Sequence, residues 1–145
     1  MYIDEHTRLF EEHRKNITDE EKLDIIEQYL KYKNLVYNVK INDKNQNDYW
    51  DIVSEFMRIL RKNKIADLKY TINMKDIKSK YNEENINILS KKKLNFLEVI
   101  TLLTLIIRSE RFCYGVHKLC IEDNTFYNLI CRFEEIKNEL LNEKL

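Results

Sequence analysis

The sequence predicts a mainly α-helical, single compact domain over residues 1–145, built around one buried central helix at about 95–108, with room for a minor two-stranded β element. Three observations carry this expectation. Proline is absent, glycine occurs once and charged residues make up 34%, the composition of helices joined by polar turns. Residues 94–115, LNFLEVITLLTLIIRSERFCYG, contain a dense apolar run with a defined start and stop. Helix-start signals also recur along the chain, each followed by apolar residues at helical spacing.

The central helix is the best specified element. Asn95 can accept from the amide of Glu98 while Glu98 reaches back, an Asn form of the capping box, and Leu94 and Val99 make a hydrophobic staple around it. Phe96, Leu97, Val99, Ile100, Leu102, Leu103, Leu105, Ile106 and Ile107 then cover the whole circumference, which leaves no face for water. A membrane span needs about 20 mostly apolar residues. Here Lys91, Lys92 and Lys93 precede the run and Arg108, Glu110 and Arg111 end it, so the helix is expected in a protein core.

The remaining elements follow in order. Residues 1–16 form an arm or short helix with Tyr2, Ile3, Leu9 and Phe10 as docking points. Thr18-Asp19-Glu20-Glu21 is a capping box with an acidic first turn, and Leu23, Ile26 and Leu30, flanked by Ile25 and Tyr29, give a helix to about Lys33. Residues 35–41 alternate Tyr37, Val39 and Ile41 with polar neighbours, which suits a strand or extended arm; Leu68, Tyr70 and Ile72 suggest its partner near 67–73, followed by a short helix. Residues 42–47 are a polar loop. A helix from Asn47 or Asp48 carries Tyr49, Ile52, Val53, Phe56, Ile59 and Leu60 on one face. After Gly115 a helix over 116–122 is expected, then Asp123 or Asn124 caps a last helix whose end, 142–145, frays.

Charge and cysteine usage narrow the function classes. Lys plus Arg and Asp plus Glu number 25 each, so the zero net charge gives no generic attraction to nucleic acid or acidic membranes. Lys91–Lys93 with Lys75, Lys78 and Lys80 could form a local basic patch, but Glu83 and Glu84 dilute it. Met1 to Glu5 lacks a basic stretch leading to an apolar one, and the three cysteines have no framework spacing, so a cytoplasmic protein with reduced thiols is expected.

Chemistry is sparse. With one glycine there is no phosphate-cradling loop. Glu5-His6 and Glu12-His13 recur at a spacing of seven, too far apart for one ion. Cys113, His117 and Cys120 share a helical face, and with Cys131 they could make a tetrahedral zinc site, although the short Cys-x-x-Cys spacing is missing and the thiols suit apolar positions. Cys113 and His117 could also form a nucleophile and base, with no third orienting group evident. The most informative corner is the end of the central helix: Arg108 and Arg111 one turn apart, Tyr114, and Gly115 at a position that calls for a positive φ. Two guanidiniums there could hold a phosphate or carboxylate, with Trp50 stacking on a base, or they could tie helix ends together through Glu98, Glu110 or free carbonyls.

The run Leu103-Thr104, Arg108, Glu110-Arg111-Phe112-Cys113 and Gly115 resembles the signature of a bacterial family of unknown function, DUF6508, and Tyr49, Val53 and Phe56 resemble its Tyr-x-x-x-Val-x-x-Phe helix. The resemblance covers roughly Tyr49 to Phe133. Two departures are visible: Glu122-Asp123-Asn124 stands where relatives carry a glycine turn, and Asp67-Leu68-Lys69-Tyr70 where they carry a tryptophan segment. The family implies a mostly helical fold and no catalytic residue.

With enzyme signatures absent, the expectation is a non-enzymatic intracellular binding module acting on a protein partner, and a homodimer is compatible with it. A phage or mobile-element inhibitor of a bacterial defence system would be such a module. The alternatives are a binder of a small anionic ligand such as a nucleotide, through Arg108, Arg111, Tyr114 and Trp50, and a small enzyme using Cys113 and His117. No cofactor is implied.

Overall fold

A computed structural model describes residues 4–143, and among these the chain is all helical. The helices are α1 (Glu5–Lys15), α2 (Asp19–Leu30), α3 (Gln46–Lys62), α4 (Tyr70–Tyr81), α5 (Ile86–Leu89), α6 (Phe96–Ser109), α7 (Val116–Glu122) and α8 (Thr125–Glu143). Tyr2, Ile3, Lys144 and Leu145, expected as docking points and a frayed end, lie outside the described residues.

Local chemistry sets the helix starts. Both expected capping boxes form: the Asn95 side chain accepts from Glu98 N at 2.8 Å while Asn95 N donates to Glu98 Oε1, and Thr18 and Glu21 repeat the exchange. Asp4 caps α1 by accepting from Thr7 N at 2.8 Å, a bond that holds its carboxyl below the usual range. Asp123 Oδ1 accepts from Thr125 N at 3.0 Å at the head of α8.

α6 is the central helix. It packs against α3, α4, α7 and α8, and α2 lies across α8 and α3. Val99, Ile100, Leu102 and Leu103 are wholly buried, and around them Tyr29, Phe56, Phe126 and Phe133 are buried completely. The Tyr29 ring sits 5.4 Å from Phe56 and 5.3 Å from Phe133, and Phe56 continues to Phe126 at 5.4 Å. Each such side chain removed from water contributes on the order of 1.5–3 kcal/mol before entropy is counted. The Tyr29 hydroxyl stays satisfied by donating to the Phe56 carbonyl at 2.9 Å.

The two-stranded element is corrected. Among the described residues there is no strand. Over 67–73 the alternation of Leu68, Tyr70 and Ile72 is overridden by Tyr70, Met74, Ile77 and Tyr81, which recur at helical spacing and face α6, while Ile72 is exposed. Segment 35–41 is a turn as far as residue 38 followed by an irregular arm, and Val36 of the turn, between the alternating residues, is the buried one. The arm is bound through side chains: Asn38 N donates to Asn124 Oδ1 at 2.9 Å, Asn124 Nδ2 returns a bond to Asn38 Oδ1 at 2.8 Å, and Ile41 N reaches Glu122 Oε1 at 3.0 Å. With these partners a second strand is not needed to satisfy its amides.

α1 also docks differently from the expectation. Leu9 is exposed and Phe10 half-buried against the His6 ring, whereas the buried residue of α1 is Arg14. His13 adds a contact from its Nε2 to the Asn63 carbonyl at 3.0 Å.

Candidate functional site

The end of α6 and the start of α7 build one projecting corner. Phe112 N and Cys113 N both donate to the Ser109 carbonyl, at 2.9 and 2.8 Å, which rolls the chain off the helix. Gly115 reverses it with φ +92°, the left-handed conformation that glycine adopts without steric penalty. Two contacts tie the corner to α6: His117 Nε2 lies 2.8 Å from the Ile107 carbonyl, and His117 N donates to Glu110 Oε2 at 3.3 Å. Between these anchors Phe112 is 82% and Tyr114 92% exposed. Tyr49 of α3 lies buried beside the corner, its hydroxyl pushed up first by burial and further by the nearby Glu110 carboxylate.

Arg108 is half-buried with its guanidinium carbon 6.0 Å from the centre of the Tyr70 ring, and its Nε is buried without a partner. Arg111 is exposed, 5.8 Å from the Phe112 ring. The carboxylates that could have bound them are engaged elsewhere: Glu98 takes Lys80, Tyr81 and Asn95, and Glu110 takes the His117 amide. Trp50 is half-exposed and pairs with the Tyr49 ring at 5.8 Å, so the guanidiniums lie over Tyr70 and Phe112 and not over Trp50. The corner is a projection; a cavity of about 350 Å³ beside it is lined by Cys113, Cys120, Leu105 and Leu119, and not by the arginines.

The cysteines diverge. Cys113 is exposed, Cys120 buried and Cys131 intermediate, all as free thiols. Burial, aided by Asp123, pushes the Cys120 thiol up to about 12. Cys131, on α8, faces Tyr127 of the same helix and Lys33 of the turn after α2, and His117 is turned towards the Ile107 carbonyl. Among the described residues no three His, Cys, Asp or Glu side chains gather as a metal site needs.

One polar centre escapes sequence reasoning. Asp67 is fully buried between α4 and α6. Its Oδ2 accepts from Thr101 Oγ1 at 2.6 Å and Asn73 Nδ2 at 2.8 Å, its Oδ1 accepts from Lys69 N at 2.9 Å, and Arg14 Nη1 stands 3.4 Å from Oδ1. Its own amide donates to Thr104 Oγ1 at 3.1 Å. Thr101 and Thr104, the polar interruptions in the apolar α6, are the one local hint of this centre. Beside it α1, α4 and α6 line an open groove of about 270 Å³.

No helix of the described residues is long and apolar enough to cross a membrane. The model of a family of unknown function, DUF6508, matches residues 43–139, which takes in the corner, Asp67 and all of α3 to α7. Comparison with curated proteins and with solved structures gives no match.

Proposed function

The chain belongs to the DUF6508 family, a family of unknown function, and on that footing we propose that it is a non-enzymatic module that binds a protein partner through the Arg111–Gly115 corner. The supporting observation is the exposure of Phe112 and Tyr114 on an anchored turn, in a chain that buries Tyr29, Phe56, Phe126 and Phe133 completely. Aromatic and arginine side chains dominate the energetics of protein contacts, and rings held by a fixed turn lose little conformational freedom on binding. Arg111, with no ion pair among the described residues, is free to meet an acidic group on that partner. The proposed setting is a cytoplasm, where Cys113 stays reduced. A phage or mobile-element protein that blocks a bacterial defence system is one role such a module fills.

The test is affinity capture from cells of the natural source with the intact protein and with the Phe112→Ala, Tyr114→Ala double variant. A discrete partner that the double variant fails to retain, with its circular dichroism unchanged, supports the reading. Equal capture by both proteins refutes it, and capture of the chain by itself identifies a homodimer.

A second reading draws on the unpartnered Nε of Arg108. A small anion such as a nucleotide phosphate would take the exposed Arg111 guanidinium beside Tyr114, with the Arg108 side chain turning outward to meet it. Thermal stabilisation that rises with the logarithm of nucleotide concentration and vanishes in Arg111→Ala would favour that ligand over a protein.

A further inference from the structure

The segment after α2, the first half of α3 and the far end of α7 line an open groove of about 420 Å³. Leu35, Val39, Ile52 and Ile121 make it apolar, and two exposed carboxylates, Asp48 and Asp51, stand along it. The two acids lie three residues apart on α3, hence on one face, and neither has an ion pair among the described residues. Like charges at that spacing repel, and a cation set between them would remove the repulsion. An apolar floor beside two open carboxylates therefore selects an occupant that carries a cation next to an apolar side chain.

The chain itself exposes that combination. At the corner, the Arg111 guanidinium lies 5.8 Å from the Phe112 ring, so the cation and the ring project together from an anchored turn. Phe112 and Tyr114 are almost fully exposed, so the corner does not fill the groove of its own chain. Knob and groove are neighbours: Tyr49 lines the groove, and its hydroxyl feels Glu110 and Tyr114 of the corner. A knob beside a groove that complements it fits a two-fold axis, across which each copy meets the other with the same two features.

We infer that the occupant is a second copy of this chain, Phe112 of each copy entering the groove of the other with its Arg111 against Asp48 and Asp51 there. The inference rests on the corner being a contact surface and names what it contacts. Two rings per copy can bury about 150–250 Å² each. With the groove surface they cover, they reach the lower end of the roughly 1,200–2,000 Å² that specific interfaces remove from water.

The experiment is sedimentation equilibrium of the full chain across about 1–500 μM, which brackets the Kd of roughly 1–100 μM expected of a contact this size. The chain is expected to dimerise reversibly. Phe112→Ala should weaken the dimer about a hundredfold or more, because a two-fold interface loses the ring twice. Arg111→Asp alone, and Asp48→Lys with Asp51→Lys alone, should each weaken it about tenfold or more, and mixing these two reversed chains should restore a dimer, since both charge pairs are then opposite again. All four positions are exposed, and circular dichroism checks that each variant is folded. A chain that stays monomeric throughout, a dimer unchanged in Phe112→Ala, or reversed chains that fail to pair when mixed overturns the assignment. A monomer that still captures a different protein through Phe112 and Tyr114 overturns the second copy and keeps the corner as a contact surface. A dimer retained by every variant, with equal capture by the Phe112→Ala, Tyr114→Ala protein, overturns both.

Discussion

The Nε2 of His117 lies 2.8 Å from the carbonyl oxygen of Ile107, so a side chain of α7 closes the last turn of α6. A carbonyl only accepts, so Nε2 carries the proton in this contact. The bond satisfies a carbonyl that the end of α6 leaves without a helical partner.

His117→Ala is therefore expected to destabilise the protein by about 1–3 kcal/mol, because it leaves that carbonyl without its donor. Urea unfolding checks the magnitude. The same variant should show faster amide exchange across 108–117 than elsewhere; a uniform loss of protection would place the His117 contact outside the corner's anchorage.

Asp67 ties α1, α4 and α6 together through Arg14, Asn73 and Thr101. Thr101→Val removes a hydroxyl donor to a buried carboxylate and should lower the unfolding free energy by about 1.5–3 kcal/mol. Asp67→Ala should lower it by about 3 kcal/mol or more, since Arg14 keeps only Glu11. Combining Asp67→Leu with Arg14→Met should be milder than the sum of the single changes, a coupling that a double-mutant cycle reads directly.

Alkaline pH should weaken the fold. The Cys120 thiol is held neutral by burial up to about 12, against an ordinary thiol value of 9.0. Between those values the unfolded chain has lost a proton that the folded chain retains, so stability falls as pH rises, by about 1.4 kcal/mol per pH unit for one such group. Below 9.0 the contribution is fully present. Tyr29, pushed well above 10.0 chiefly by burial, adds its own loss above that value. Cys120→Ala should flatten the decline between 9.0 and about 12, and Tyr29→Phe should flatten it above 10.0. Denaturant titrations across the window measure both slopes.

The helices were legible where local chemistry sets them. Asn95 with Glu98 and Thr18 with Glu21 announce their boxes within four residues, and the apolar α6 announces a core. α4 was obscured because Leu68, Tyr70 and Ile72 alternate by coincidence across a turn and a helix start, while its buried face is carried by Met74 and Ile77. The aromatic corner could be located from Gly115 and the arginines beside it, but not the exposure of Phe112, since an aromatic in a sequence reads equally as core. The Asp67 centre left only Thr101 and Thr104 as a hint, because these two partners lie far along the chain, 34 and 37 residues away. Nothing local marks Arg14 as buried.

The most direct measurement of the central claim is site-specific photo-crosslinking in cells of the natural source, with a photoreactive phenylalanine analogue at Phe112 and, separately, at Glu12, an exposed position on α1. A contact surface at the corner predicts one discrete protein adduct from position 112 and none from position 12. No adduct from 112, or the same adducts from both positions, would contradict it.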